Sequence, residues 1–272
     1  MRQFVVDAFT DRVFAGNQAA ICLVDAWPGD GLMTAIAREN NFSETAFLLP
    51  LRGDDAANEQ HEGDTAPDYA LRWFTPGGEI DLCGHATLAS AFVVCSLLEP
   101  GRERVIFDTM SDALPVSRSG DLYEMDFPAF ELRPIAVSET IESALGCHVS
   151  ETWIGRDLLC VLDDEMTVRE LVPDQGLLKE LDGLLCHVTA RDRGAYDCVS
   201  RSFAPKLDVA EDPVCGSGHC HILPYWSQRL GTSTLLAYQA SARGGEIQGE
   251  VHGDRVTLGG KAVLFSTAEL TL

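Results

Sequence analysis

Two cysteine-glycine turns carry the residue types best suited to chemistry. One lies in Arg72–Thr87, RWFTPGGEIDLCGHAT, and the other in Arg201–His221, RSFAPKLDVAEDPVCGSGHCH. Both read Arg-x-Phe-(Thr/Ala)-Pro, a short insert, then Glu-x-x-x-Cys-Gly; the insert is Gly77-Gly78 in the first copy and Lys206–Ala210 in the second. A motif that occurs only twice excludes a solenoid and points to a pair of similar half-domains. In each copy a strand, a tight turn and a helix-patterned stretch follow one another, which places Cys83 and Cys215 at helix N-termini. Free N–H groups and the helix dipole there favour an anion, and a thiol in that setting is expected to titrate low, at ~7 or below. Gly84 and Gly216 let a ligand carboxylate approach the backbone closely. The bland alternative is that two glycine turns start two helices around small core cysteines; the shared lead-in favours the functional reading.

Glu44 and Asn17 are the other candidates. Glu44 stands in Phe42–Leu49, FSETAFLL, a run otherwise apolar or small. A buried carboxyl without a partner titrates up towards neutrality, as suits a general acid/base; the alternative is an edge-strand glutamate in water. Asn17 follows Gly16, where its amide can bind a carboxylate or simply occupy a left-handed turn position. Cys215, His219, Cys220 and His221 resemble a metal cluster, but only Cys215 and His219, four apart, share a helix face. A structural zinc wants four converging ligands, so no metal is expected. His148, His187 and His252 show no partner pattern and read as surface or internally satisfied histidines. The glycines form neither a Walker loop nor G-x-G-x-x-G after a strand, and no nucleotide, flavin or other cofactor is called for.

The elements that must position these residues are short and mixed. Strand patterns cover Phe4–Ala8, Ala19–Leu23, Leu71–Phe74, Val105–Asp108, Ala113–Arg118 and Leu122–Phe127, the last two joined by a Ser119-Gly120 hairpin signal. Helix patterns cover Leu32–Glu39 behind an Asp30 cap, Ala86–Leu98, a short stretch between Ser138 and Gly146, and Gly218–Leu230, where Pro224 should bend the helix. Thr152–Leu162 reads as one strand-like piece, and Gly244-Gly245, Gly253-Asp254 and Gly259-Gly260 as turns. Arg52–Asp68 reads as an acidic surface loop with a solvated His61. Strands and helices in this mixture read as α+β rather than alternating βαβ.

Composition bounds the partners. The chain has 272 residues, 46% hydrophobic and 23% charged, an ordinary globular balance. A formal net charge of −22, with only three lysines, argues against nucleic acid or an anionic membrane surface as partner. No apolar run approaches a membrane span. Nine cysteines, odd in number and without a C-x-x-C pair, fit free thiols in a reducing cytoplasm, and Met1 leads straight into a strand pattern without a signal peptide.

Taken with the repeat, the stretches VDAFTDRVFAGNQAAICLV, NFSETAFLL, LRWFTPGGEIDLCGHATLASA and SRSFAPKLDVAEDPVCGSGHCHILPYW resemble the phenazine-biosynthesis PhzF-like family, in order over nearly the whole chain. The resemblance implies the diaminopimelate-epimerase fold: two pseudo-symmetric half-domains, each a sheet wrapped round a central helix, with the active site in the cleft between them. The halves are expected at 1–115, with a returning strand at about 262–272, and at 116–261. The resemblance further implies Glu44 as the proton-shuttling acid/base, His85 and Asp212 as its catalytic partners, and Asn17, Gly84, Gly216 and Ser217 as substrate-binding residues. It implies a homodimer and a small carboxylate-bearing substrate for a cofactor-independent isomerase. Two alternatives stay open. Cys83 and Cys215 match the paired thiols of amino-acid racemases of this fold, although His85 stands where those enzymes typically carry asparagine. A non-catalytic small-molecule binding or interaction protein is the third reading.

Overall fold

The computed structural model describes residues 1–51 and 65–272. The loop expected over Arg52–Asp68 lies, apart from Thr65–Asp68, outside the described residues, and so does His61. The chain opens with β1 (Arg2–Ala8), β2 (Asn17–Leu23), α1 (Asp30–Asn40), β3 (Glu44–Pro50), β4 (Tyr69–Thr75), β5 (Gly78–Ile80) and α2 (Gly84–Phe92). It continues with β6 (Arg104–Asp108), β7 (Ala113–Ser119), β8 (Leu122–Pro128), β9 (Arg133–Ile135), α3 (Glu139–Leu145), β10 (Glu151–Ile154) and β11 (Leu158–Val161). After these come α4 (Glu165–Glu170), α5 (Gln175–Lys179), β12 (Cys186–Arg191), β13 (Cys198–Ala204), β14 (Val209–Asp212) and α6 (Gly216–Leu230). Four strands close it: β15 (Thr234–Gln239), β16 (Gly245–His252), β17 (Arg255–Gly260) and β18 (Ala262–Glu269).

Two compact units result, Met1–Asp126 with Gly259–Leu272, and Phe127–Leu258. In the first, β1 pairs antiparallel with β18 and β2, β2 runs parallel to β3, and β3 is antiparallel to β4. On β4 sit β5, antiparallel, and β6, parallel, and β6 leads into the antiparallel β7 and β8. Helix α2 is buried from His85 to Ala91 and continues through Val93–Leu98 as a wider π turn, where a single helix was expected. Apart from His85 its residues are apolar or carry hydroxyls that bond back to the helix, as Thr87 does to the Cys83 carbonyl and Ser90 to that of Ala86, so it can be enclosed rather than merely covered.

The second unit repeats this order strand for strand. Strand β10 is antiparallel to β9 and β11, β11 is parallel to β12, and β12 is antiparallel to β13. On β13 sit β14, antiparallel, and β15, parallel, followed by antiparallel β16. Helix α6 holds the place of α2, between the short strand and the parallel one. This is the α+β architecture expected of the diaminopimelate-epimerase fold.

The repeated arginine and glutamate explain why each copy turns alike. Arg72 on β4 grips Glu79 on β5 through Nε and Nη2, both at 2.6 Å, and Arg201 on β13 grips Glu211 through the same nitrogens at 2.7 and 2.8 Å. Each guanidinium also lies over the phenylalanine two residues on, Arg72 over Phe74 at 5.2 Å and Arg201 over Phe203 at 5.1 Å. A bidentate, partly buried clamp of this kind fixes direction as well as distance, and so aims the following Cys-Gly turn.

Local details follow elementary capping chemistry, with some departures from the sequence reading. Ser138 caps α3 and Gly146 closes it in the left-handed conformation, as expected. Gly29, not Asp30, caps α1; Asp30 sits in its first turn and pairs with Arg72. Thr152–Leu162 is a hairpin, β10 and β11, broken at Gly155–Asp157. Gly259-Gly260 ends β17 rather than turning. Helix α6 runs unbroken through Pro224. Proline removes the N–H that would have bonded the Cys220 carbonyl, and Phe130 supplies a backbone N–H to that oxygen instead, at 3.1 Å. Among the described residues no helix is long and apolar enough to cross a membrane.

At Gly218 the start of α6 meets the sheet with no room to spare. A Cβ there would stand 2.7 Å from His187 Cε1, 2.9 Å from Nδ1 and 3.1 Å from Ser202 Oγ. Gly218→Ala is therefore expected to cost about 1–3 kcal/mol by overpacking, read as a lower urea midpoint at unchanged m-value.

Candidate active site

In the first unit three elements bring the site together. Parallel pairing of β2 with β3, Ala19 beside Glu44, starts both strands at the same end and puts Asn17 and Glu44 there. Gly16 makes that start possible: its φ is +65°, and a Cβ would stand 2.1 Å from the Ala8 carbonyl oxygen. Cys83 is the N-cap of α2, so Gly84 and His85 form its first turn, and His85 is buried. The Asn17 amide nitrogen lies 3.1 Å from His85 Nδ1, and Cys83 Sγ lies 3.5 Å from the same nitrogen. Ser43 Oγ donates weakly to Asn17 Oδ1 at 3.5 Å.

On the other side of the ring, His85 Nε2 stands 3.1 Å from Glu44 Oε2, with Glu44 only 16% exposed. The two atoms are buried and not aligned as a hydrogen bond, so they meet as an ion pair in which each keeps capacity for a further partner. Burial by itself would raise the Glu44 pKa; the charge of the neighbouring His85 outweighs it and holds the carboxyl below its ordinary value. Glu44 thus has a partner where the sequence reading supposed none, and its pKa moves down rather than up. Burial would likewise lower the His85 pKa, but the Cys83 sulfur and the Glu44 carboxylate reverse this and raise it well above 6.5. The Cys83 thiol is pushed up by burial and then by the Glu44 charge. The low-titrating thiol expected at this helix end is therefore corrected: desolvation exceeds what the helix dipole supplies.

In the second unit Cys215 caps α6, its Sγ accepting the Gly218 N–H at 3.3 Å. Its thiol too is pushed well up, by burial and then by Asp212. Gln239 ties the turn down, accepting the Cys215 N–H at 2.8 Å and donating to the Asp212 carbonyl at 2.6 Å. Asp212 Oδ1 accepts the Val214 N–H at 3.2 Å. Half-buried Ser217, the second residue of α6 after Gly216, has its Oγ 3.4 Å from Cys215 Sγ. The predicted residues thus gather into two groups, Asn17, Glu44, Cys83, Gly84 and His85 in one unit and Asp212, Cys215, Gly216 and Ser217 in the other.

A network the sequence reading missed supports the second group. Asp157, fully buried, accepts from His187 Nε2 at 3.1 Å, from the Leu185 N–H at 3.3 Å and from Arg156 through Nε and Nη2. Burial would raise its carboxyl; hydrogen bonds from His187 and Arg156 and their charges bring it far below the usual range. The signal was the Gly155-Arg156-Asp157 interruption in an apolar run. Asp157, His187 and His221 bring ligand-type atoms within 4.8 Å, as do Glu44, Cys83 and His85. Every ring nitrogen of the first trio is already hydrogen-bonded: His187 to Ser202 and Asp157, His221 to the Ser217 carbonyl and the Asp157 N–H. In the second trio the thiol and the carboxylate address opposite nitrogens of one ring, a relay geometry rather than a chelate. His219 is likewise engaged by the Cys215 carbonyl and Ser200, so the Cys215–His221 run does not converge as a metal cluster. Burial lowers the pKa of His219 to about 4 and of His221 to about 3, so both are neutral.

The doubled α+β fold is of the isomerase and epimerase-like type, and in it a carboxylate and a buried imidazole are paired at a Cys-Gly turn. The chain matches the family model of phenazine biosynthesis-like proteins over residues 6–268. It is 45% identical over 269 residues to a Pseudomonas aeruginosa protein named as an uncharacterized isomerase, covering 99% of this chain and 98% of that one. A crystal structure of a PhzF-family phenazine biosynthesis protein from Enterococcus faecalis superposes with a TM-score of 0.91 at 45% identity, covering 100% of this chain and 99% of the other. A predicted epimerase from Pseudomonas aeruginosa shares the fold at a TM-score of 0.71 and 20% identity, covering 100% and 99%. The protein belongs to the PhzF family of phenazine biosynthesis-like proteins.

The pKa directions set a pH window. His85, raised, contributes stability fully below pH 6.5 and loses it as pH rises through its raised value; Glu44, lowered, contributes fully above 4.5 and loses it as pH falls through its lowered value. The pair is thus intact between these limits and beyond both. In an NMR titration of the histidine Cε1–H signals, His85 should stay protonated above pH 6.5. In Glu44→Gln its pKa should fall markedly, as burial meets less opposition.

Proposed function

We propose that this protein is an isomerase that moves a proton, and with it a double bond, on a small carboxylate-bearing metabolite without a cofactor. The observation that carries this reading is the Glu44–His85 pair: a half-buried carboxylate kept ionised, 3.1 Å from a buried imidazole, with an unaligned oxygen. Glu44 takes a proton from a carbon made acidic by conjugation; the electron pair left behind delocalises into the conjugated system. The Glu44 carboxylic acid then returns the proton to a different carbon, and the double bond shifts with no net gain or loss of atoms or electrons. His85 keeps the carboxylate oriented and offsets the developing negative charge on the substrate. Asn17 fixes the imidazole and reaches towards the substrate, while the turn at Gly84 receives its carboxylate.

The neighbouring names fit a proton-transfer class: an uncharacterized isomerase among relatives and a predicted epimerase among structures. Cys83 and Cys215 both cap helices, the feature that favours a two-cysteine racemase. Against it, each thiol is buried and pushed up, whereas that scheme needs one thiolate at rest.

Proton exchange in D₂O, followed by mass spectrometry on a panel of amino acids and cyclic unsaturated acids, tests this. Exchange on an unsaturated acid should fall about 10²- to 10⁴-fold in Glu44→Gln and persist in Cys215→Ser. Exchange at an amino-acid Cα that is lost with either cysteine would establish the racemase instead. A Glu44→Gln protein that keeps full activity would overturn the assignment. No exchange on any acid would favour the binding-protein reading.

A further inference from the structure

The two units place different side chains at one topological position. In the first, the connection from β1 to β2 ends in Asn17, which reaches His85, the second residue of α2. In the second, the corresponding connection from β10 to β11 carries Arg156, which reaches Ser217, the second residue of α6: Nη2 donates to Ser217 Oγ at 2.9 Å. We infer that Arg156 is the positioning residue for Ser217 and gives that turn its preference for a negatively charged substrate. The inference rests on Ser217 being a substrate-binding residue, as the family resemblance implies.

Three observations make Arg156 a fixed group rather than a surface arginine. Asp157, fully buried, holds it through Nε at 3.1 Å and Nη2 at 2.5 Å. The Phe130 ring lies under its guanidinium at 4.8 Å, and Phe130 in turn stacks on His221 at 4.3 Å. Yet the side chain keeps 33% exposure, so it is anchored at its base and open at its edge. The guanidinium donates to Ser217 Oγ, and arginine can only donate. The Ser217 O–H must therefore point away from the arginine, where its contact with Cys215 Sγ at 3.4 Å is weak, and an anionic oxygen can replace that sulfur as acceptor of a donor polarised by a cation. A donor so oriented recognises an anionic oxygen better than a neutral one.

Benzoate, a planar acid with no exchangeable carbon-bound proton of the kind isomerised, probes recognition apart from chemistry. Its binding, and that of neutral benzamide, can be followed by amide NMR shifts at Gly216–Gly218 in the whole protein. Benzoate should bind saturably and benzamide far more weakly. Arg156→Gln should weaken benzoate about 10- to 100-fold. Ser217→Ala should weaken it similarly, and the double variant no further, since one acts through the other. Arg156→Lys, which keeps the charge beside Asp157 but not the fork, should retain the fold and lose most of the affinity; it stands in should Arg156→Gln fail to fold. Wild type without benzoate binding, equal binding of benzamide, or additive losses would each overturn the inference. Proton exchange that survives while benzoate binding ignores Arg156 would leave the isomerase reading intact and remove this one. Arg156-dependent benzoate binding in a protein inactive on every acid would do the reverse.

Discussion

Both turns depend on one interaction made twice, the bidentate arginine–glutamate clamp between a strand and the short strand that follows it. Arg72 with Glu79 and Arg201 with Glu211 are partly buried pairs of matching planar geometry. Each arginine is backed by the phenylalanine two residues along the same strand. Ion pairs at a surface contribute little, but a planar fork held between two strands constrains the chain's exit direction. That exit aims a cysteine at a helix N-cap in both units, although the second copy carries three more residues in its insert. The longer insert forms an extra 3₁₀ turn at Pro205–Leu207 before rejoining the same geometry.

With the frame shared, the units differ in how they handle buried charge. The first turn places a carboxylate beside an imidazole, and the pair offsets a desolvation that neither group would bear alone. Beneath the second, Asp157 is ionised because Arg156 and His187 donate to it, while His219 and His221 avoid charge altogether and act as neutral hydrogen-bond bridges. Both cysteines illustrate the competition at a helix end. The dipole favours a thiolate within the first turn, but enclosure by the surrounding sheet removes the water that would solvate it, and desolvation prevails.

Close packing and polar satisfaction are coupled in the second unit. The Cys220 carbonyl freed by Pro224 is met by Phe130, and the same segment's ring lies between Arg156 and His221. A proline that reads locally as a helix defect is accommodated by a donor from a chain segment distant in sequence. Gly218 allows His187 to approach the helix, and His187 joins Ser202 to Asp157.

By itself the sequence determined what is local or periodic. It specified the doubled strand-turn-helix, the cysteines at helix N-caps, the Gly16-Asn17 entry to β2 and the anomalous Glu44 at the head of β3. These follow from spacing, from glycine's freedom at positive φ and from strand and helix patterning, none of which requires knowing what lies across the fold. The tertiary structure decided the partners. His85 faces Glu44, so the carboxyl pKa moves down rather than up. Arg156 reaches Ser217 across 61 residues, and Asp157 finds His187 across 30. A pKa depends on the balance of burial against neighbouring charge, and that balance depends on groups brought together only when the sheets close round their helices.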